Sequence, residues 1–193
     1  MAAAFEAFSE RGYEATCVED VAVLAGVTKG TVYVYFDTKE ELFKAMVRHY
    51  SSRTLADGEA IFSAMPGTCA ERLSALFAFI YDRCAHDRKG RELLRFIVAE
   101  AKNFPSLAEE HYRDFVAPAM RMVGKLLLEG AANGEFKPEL TPEAAFIAIA
   151  PAVFLGTLKL IFSDALQIDE KAYFSAHINQ TLNGIMALKA SDA

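Results

Sequence analysis

Apolar residues recur at helical spacing along almost the whole chain, and this period constrains the fold more than any other feature. Phe5 and Phe8 lie three positions apart, and Leu73, Leu76 and Phe77 form a second stripe of this kind. Residues three and four positions apart share one face of an α-helix. The pattern therefore predicts an all-α protein of about nine helices, three short ones first and six mostly long ones after them.

Glycine, proline and threonine mark the ends of these helices. Gly12 and Gly26 end the first two, and Thr16 followed by Glu19 is typical of a capping box at the start of the second. The later helices are predicted over residues 38–64, 69–87, 93–101, 106–132, 142–163 and 170–189, with caps at Thr38 and Thr141, Pro142 at the first helical position and a kink at Pro118. Composition shifts near residue 45, which predicts an N-terminal module of residues 1–45 and a helical bundle of residues 46–193.

Composition excludes several classes of protein. The chain has 193 residues, 53% hydrophobic and 24% charged, which is typical of a globular protein rather than a disordered one. Its three cysteines are odd in number and widely spaced, which favours a reducing cytoplasm. No signal peptide is visible, and the most apolar stretch, residues 144–158, is shorter than the roughly 20 residues of a membrane span. We expect that stretch to be a helix buried against other protein.

Motifs of enzymes and of cofactor sites are absent from the sequence. It contains no HExxH, no GxSxG and no glycine-rich phosphate loop. Cys84 and His86 form a Cys-x-His pair that lacks the spacing of a four-ligand zinc site. We therefore predict no enzyme, no metal and no cofactor.

The run TVYVYF, residues 31–36, consists of residues that are enriched in β-strands. A lone strand in a helical chain would leave its backbone without hydrogen-bond partners. As a helix capped by Thr28, the segment places Val32 and Phe36 on one face, where they can pack under the preceding helix. We therefore predict a helix, joined to residues 18–25 by a Gly26 turn as a helix-turn-helix.

The other face of this helix carries side chains that suit DNA. In a helix-turn-helix the second helix enters the major groove. Lys29 can meet phosphate or guanine, Thr31 can meet a base edge, and Tyr33 and Tyr35 can meet phosphate oxygens. The alternative is that these tyrosines only cover a bundle surface.

Residues 8–46 closely resemble the DNA-binding domain of the TetR family of bacterial transcriptional repressors. The shared residues are Phe8, Gly12, Tyr13, Thr16, Val21, Ala22, Ala25, Gly26, Val27, Lys29, Gly30, Thr31, Tyr33, Tyr35, Phe36, Lys39, Leu42 and Phe43. The resemblance implies a homodimer that binds a palindromic operator and is released by a small molecule. It also implies DNA contacts by the recognition-helix residues Lys29, Gly30, Thr31 and Tyr33. Tyr35 and Lys39 would contact phosphates, and Thr16 and Cys17 would contact the DNA backbone.

Some features depart from this family pattern. Cys17 stands where Ser or Thr is common, and Val34 where a polar residue is common. The first 50 residues hold five Lys or Arg and eight Asp or Glu, a net charge near −3. Family members usually carry further, often basic, residues before AAAFEAF. We therefore expect either a missing basic arm, which we favour, or a modest, salt-sensitive DNA affinity.

The larger domain resembles the AefR-like subgroup in RELLRFIVAEAKNFPSLAEEHYRDFVAP and GEFKPELTPEAA. We expect a mostly apolar pocket between helices for a mid-sized apolar or aromatic effector. Candidate lining residues are Phe62, Phe77, Tyr81, Cys84, Phe96, Glu100, Phe104, His111, Tyr112, Phe115, Met120 and Phe154. A buried Glu100 or His111 needs a polar partner, which a ligand, Arg95 or Arg121 could supply.

The last two helices are predicted to form the dimer. Ala145, Ala148, Ala152 and Gly156 would allow close helix approach. Ile178, Leu182, Ile185 and Met186 would form the matching stripe, unless both helices are core only. The function predicted is a ligand-responsive, cytoplasmic DNA-binding regulator, a repressor acting as a homodimer. The alternative is an effector-free helical DNA-binding or architectural protein.

Overall fold

The computed structural model describes residues 1–187, apart from the side chain of residue 164, and confirms an all-α fold. The described helices are α1 (Ala2–Ala15), α2 (Val18–Ala25), α3 (Lys29–Tyr35), α4 (Lys39–Ala64), α5 (Cys69–Tyr81), α6 (Arg88–Glu100), α7 (Pro105–His111), α8 (Ala117–Ala132), α9 (Ala144–Phe162) and α10 (Glu170–Ile185). Asp82–His86 and Tyr112–Val116 are π-helical, and Ser163–Ala165 is a 3₁₀ turn. Within residues 1–187 one isolated β-bridge joins Phe136 and Met186. Residues 188 and 189 of the predicted last helix lie outside the described residues.

Glycines end the first two helical segments as predicted. Gly12 leaves the helical region at φ 76° and ψ 174°, which kinks α1. Gly26 takes the left-handed conformation at φ 68° and ψ 29°, which glycine adopts without a steric penalty. The predicted capping box is one residue out of register, because Cys17 is the N-cap of α2 and Asp20 is its third residue.

A π-helical turn separates α7 from α8, where a single helix kinked at Pro118 was predicted. Pro118 has no backbone N–H to donate to the carbonyl one turn earlier, so the α-helical ladder is interrupted there. The chain accommodates the gap by widening over Tyr112–Val116. At the next boundary the predicted Thr141 cap is too early, because Ala144 and Ala145 donate to the carbonyls of Thr141 and Pro142 in turns before α9.

The described chain packs as two compact units. The N-terminal unit comprises Met1–Thr54 and Glu92–Phe115, and the C-terminal unit comprises Leu55–Arg91 and the described residues from Val116 onward. The core of the N-terminal unit joins Phe5 and Phe8 of α1, Phe43 of α4 and Phe96 of α6. A domain boundary at residue 45 stays a prediction, and the packing groups residues 92–115 with the N-terminal helices.

The C-terminal unit has its core between α5, α8 and α9. Leu73, Leu126 and Ala145 are each fully buried there. The four small residues of the predicted stripe, Ala145, Ala148, Ala152 and Gly156, are all buried within the chain. Ile178, Leu182 and Ile185 of α10 pack against the same core. The small-residue stripe of α9 is therefore occupied within its own subunit, whereas Met186 of the second stripe is exposed. A dimer through the last two helices stays a prediction.

The opposite face of α9 is apolar and exposed. Ile147 is 77% exposed and Phe154 is 56% exposed, and Phe146, Ile161 and Phe162 are also exposed. Within the described residues, α9 is long and apolar enough to cross a membrane by length and composition, with 33% of its apolar window buried. Sequence analysis underestimated the length of this apolar segment. It ended the segment at residue 158, whereas α9 continues to Phe162.

Candidate nucleic-acid interface and ligand clefts

Helices α2 and α3 form the predicted helix-turn-helix. The Val27 amide donates to the Ala22 carbonyl at 3.0 Å, which closes the turn at Gly26. The Thr28 hydroxyl accepts the Thr31 amide at 3.1 Å and caps α3. Val32 is buried and Phe36 packs against the same core, so tertiary packing overrides the strand propensity of this segment.

The remaining side chains of α3 form an exposed face. Lys29, Thr31 and Tyr33 are exposed, and Val34 and Tyr35 are 78% and 75% exposed. The neighbouring Cys17 and Gly30 are also exposed. The structure thus brings six of the eight predicted DNA-binding residues to the surface of one motif. Such a cluster of donors and flat rings can meet a nucleic acid without rearrangement of the fold.

Lys29 already has a partner within the motif. Its ammonium is hydrogen-bonded to the Glu19 carboxylate of α2 and lies 5.7 Å from the centre of the Tyr33 ring. This hydrogen bond raises the pKa of Lys29 and lowers the pKa of Glu19. Sequence analysis assigned Glu19 to a capping box and did not predict its ion pair with Lys29. The Lys29 ammonium keeps two further N–H donors, which can meet a phosphate or a base.

Thr16 and Lys39 make hydrogen bonds within the protein, and their predicted DNA contacts stay predictions. The Thr16 hydroxyl is buried and lies 2.6 Å from the Gly12 carbonyl and 3.1 Å from the Ala7 carbonyl. The Lys39 ammonium donates to the carbonyls of Tyr13, Glu14 and Thr16 at 2.9, 3.2 and 3.0 Å. Since an ammonium has three donors, Lys39 is saturated as a cap on the end of α1.

Cys17 remains at the surface, where it caps α2 through Asp20. Its amide and its thiol both lie 2.9 Å from the Asp20 carboxylate. These two hydrogen bonds, with a smaller contribution from Arg11, lower the pKa of Asp20. The carboxylate thus accepts the backbone amide of the N-cap residue, and the Cys17 side chain faces the Asp20 amide where a Ser or Thr hydroxyl would.

The predicted effector-binding residues divide between the two units, six in each. Phe96, Glu100, Phe104, His111, Tyr112 and Phe115 belong to the N-terminal unit, and Phe62, Phe77, Tyr81, Cys84, Met120 and Phe154 to the C-terminal unit. Phe96 and Phe77 are core residues, each 1% exposed, whereas Phe154 and Tyr112 are exposed. Asn103 donates to the buried Glu100 at 3.1 Å, and Arg95 instead binds Glu92 and the Ser9 carbonyl.

The C-terminal unit contains two apolar clefts. One, of about 400 Å³, lies between α5 and α10 and is lined by Ala78, Tyr81, His86, Glu170, Lys171 and Phe174. The other, of about 420 Å³, is formed by α8, α9 and α10 and includes His177. Sequence analysis missed His177, a 7% exposed residue whose Nδ1 lies 3.1 Å from the Tyr81 hydroxyl. Burial is the main cause of its lowered pKa.

Comparison with known proteins bears on the helix-turn-helix of α2 and α3. Residues 1–46 match the model of a family described as bacterial regulatory proteins, tetR family. The N-terminal part of the chain is thus similar to TetR-family regulators. This match agrees with the prediction of a DNA-binding transcription regulator rather than an enzyme. The AefR-like subgroup stays a prediction.

Curated relatives extend the similarity beyond the first helices. The transcriptional repressor KstR2 of Mycolicibacterium smegmatis is 27% identical over 143 residues, which are 72% of this chain and 66%, just under two thirds, of that protein. The fatty acid metabolism regulator protein of Bacillus subtilis is 24% identical over 184 residues, 93% of this chain and 88% of that one. The solved structure of FadR from Bacillus subtilis with stearoyl-CoA has a TM-score of 0.70 at 20% identity, covering 95% of this chain and 96% of that one.

His111 should make the folding stability of the protein depend on pH. Burial lowers its pKa from 6.5 to about 4. Between these pH values the unfolded chain binds a proton that the folded chain does not, so stability falls as the pH drops. We expect His111 to account for about 2 kcal/mol of the loss between pH 7 and pH 5.

Urea unfolding of the wild type and of His111→Phe at pH 7 and pH 5 measures this contribution. His177, whose pKa is also lowered, adds a loss of the same sign that remains in the variant. An equal pH dependence in both proteins would show that His111 is not buried as an uncharged ring.

Proposed function

We propose that the chain is a repressor that binds a palindromic operator as a homodimer and leaves it when an apolar effector binds. The observation that carries the proposal is the exposed face of α3, where Lys29, Thr31, Tyr33 and Tyr35 stand free of the core while Val32 anchors the helix. Polar and aromatic side chains on the second helix of this motif are the usual means of reading the major groove. A protein with this function would act in the cytoplasm.

Selection from random duplex DNA tests the proposed operator binding. The folded chain, at low salt, should enrich a palindrome whose half-sites are about one helical turn apart. An enriched motif without two-fold symmetry would contradict the dimeric part of the proposal. Absence of any enriched motif would contradict specific DNA binding itself.

The proposed dimer uses the outer face of α9 rather than its small residues. Ile147, Phe154 and Ile161 expose large apolar side chains on a helix whose other face is already packed. Apolar patches of this kind on a soluble chain mark interaction surfaces. A second copy with the same face satisfies the two-fold symmetry that a palindromic operator requires.

Replacing Ile147 and Phe154 together by glutamate should abolish this dimer. Two carboxylates buried without partners in the seam would weaken association by at least about a hundredfold. Sedimentation equilibrium at micromolar concentration should give a dimer for the wild type and a monomer for the variant. Val98→Glu, a control at a 73% exposed apolar site of α6, should remain dimeric. A monomeric wild type would overturn the proposed seam.

The proposed effector is a largely apolar molecule with a polar head. The cleft between α5 and α10 supports it, because Tyr81 and Phe174 provide an apolar wall beside the polar rim of His86, Glu170 and Lys171. The stearoyl-CoA bound by FadR from Bacillus subtilis is a molecule of this class. The proposal predicts that stearoyl-CoA, but not CoA alone, releases the selected operator. Operator binding that no such molecule changes would favour the effector-free DNA-binding protein.

A further inference from the structure

A cleft of about 370 Å³ lies within the N-terminal unit, between α4 and the end of α7. Its lining residues are Val47, Arg48, His49, Ser51, Ser52, Leu107, Glu110, His111, Asp114 and Phe115. Val47 and Leu107 are fully buried at its base. All of these residues belong to the unit that carries the helix-turn-helix.

We propose that this cleft binds a small uncharged molecule, mainly apolar, that carries one hydroxyl or carbonyl group. The site is separate from the effector cleft proposed above, whose residues belong to the C-terminal unit. It does not depend on the operator or on the dimer.

Ser51 and His111 provide the polar anchor of the cleft. Ser51 is a buried residue, 5% exposed, and its hydroxyl lies 3.3 Å from Nδ1 of His111. Among residues 1–187, Nε2 of His111 has no hydrogen-bond partner, so the ring can bind one further polar group. A ligand hydroxyl both donates and accepts, and therefore satisfies either tautomer of the ring.

The charges around the cleft favour an uncharged ligand. Arg48 at the rim is paired with Glu110 at 2.7 Å, and Asp114 is paired with Arg113 at 2.6 Å. Burial lowers the pKa of His111 to about 4, so its ring is neutral at pH 7. A charged ligand would lose its hydration without gaining a free counter-charge.

The wall of the cleft is formed by a wide helical turn. The π-helical segment Tyr112–Val116 begins directly after His111 and places Phe115 with its ring 5.0 Å from the His111 ring. Turns of this type occur frequently at functional sites. The two adjacent rings provide an aromatic surface for a flat or aliphatic ligand.

The base of the cleft connects it to the DNA-binding motif. Val47 and Leu107 belong to the same buried cluster as Val21 of α2 and Val32 of α3. A ligand that packs on Val47 and Leu107 therefore extends the core that supports the recognition helix.

Three small probes of similar size separate these requirements. Benzyl alcohol, toluene and benzoate can be titrated into the full chain while the ring signals of labelled histidines are followed by NMR. Benzyl alcohol should shift the His111 signal with a dissociation constant of about 1 mM. Toluene, which cannot form the hydrogen bond, should bind about fivefold more weakly, and benzoate should not bind.

Matched variants locate the binding. Ser52→Trp introduces a bulky side chain at an exposed position of the lining and should abolish binding of benzyl alcohol in ligand-observed NMR. His111→Phe should retain the shape of the cleft but make benzyl alcohol bind no better than toluene. Ala78→Trp, the control in the C-terminal cleft, should bind benzyl alcohol as the wild type does.

Two results would overturn the proposed site. One is no shift of the His111 signal at benzyl alcohol concentrations up to about 20 mM, and the other is undiminished binding to Ser52→Trp. Either result can occur with normal operator binding, which the duplex selection measures separately. Failure of this site is therefore distinguishable from failure of the proposed repressor function.

Discussion

Replacing Lys29 and Tyr33 together by alanine is expected to lower affinity for the selected operator about a hundredfold without unfolding the protein. Each side chain is exposed on α3, and a base or phosphate contact of this kind contributes roughly 1–3 kcal/mol. Anisotropy titrations of a labelled operator at several salt concentrations measure the loss. The salt slope should fall by about one for each phosphate contact removed.

The control for this variant removes the same side chains elsewhere. Lys125 of α8 and Tyr112 of the π-helical turn are also exposed, so Lys125→Ala/Tyr112→Ala changes charge and ring content equally. Its operator affinity should stay within about twofold of the wild type. If both double variants lost affinity to the same extent, net charge rather than the α3 face would govern binding.

Replacing Gly156 by alanine is expected to lower the free energy of unfolding by about 2–3 kcal/mol. Gly156 lies where α9 crosses the π-helical segment Asp82–His86, and an added methyl group would collide with the Cys84 carbonyl. The two nearest atoms, the oxygen and carbon of the Cys84 carbonyl, are backbone atoms, which cannot move aside as a flexible side chain can. Urea unfolding at one fixed protein concentration measures the change.

Gly124→Ala is the matched control for Gly156→Ala. Gly124 is also a buried helical glycine, but an added methyl group there would come no closer than 3.8 Å to the Pro142 carbonyl. The higher helix propensity of alanine should leave stability equal or up to about 1 kcal/mol higher. Equal losses in both variants would show that the close approach of α9 does not limit substitution.

Local rules predicted the helix-turn-helix from sequence. Gly26 and Thr28 fix the turn and the cap within a few residues of each other, and Val32 and Phe36 repeat at helical spacing. Features of this kind need no knowledge of distant contacts. The strand-like composition of residues 31–36 was correctly set aside because a lone strand would have had no partner.

The roles of Thr16 and Lys39 could not be predicted by the same rules. Both are polar residues in a surface motif, and a family resemblance assigns them to DNA. Their hydrogen bonds to the carbonyls at Gly12 and Tyr13 depend on how α1 ends, which the kink at Gly12 determines. A polar residue next to a helix terminus can cap backbone groups as readily as it can bind phosphate.

The ligand-binding residues were predicted less well because apolar periodicity does not identify which unit a helix joins. Phe96 and Phe77 lie on similar stripes, yet they belong to the cores of different units. The small residues of α9 gave a similar ambiguity, since close approach can be to the same chain or to a partner. In both cases tertiary packing, rather than the pattern itself, decides the outcome.

Photo-cross-linking from position 33 tests most directly whether α3 reads DNA. A photoreactive phenylalanine analogue in place of Tyr33, in complex with the selected operator, should cross-link to bases within each half-site. The same analogue in place of Tyr112, an exposed tyrosine of the same unit, should give no cross-link. Cross-links from position 112 with none from position 33 would contradict the assignment of α3 as the recognition helix.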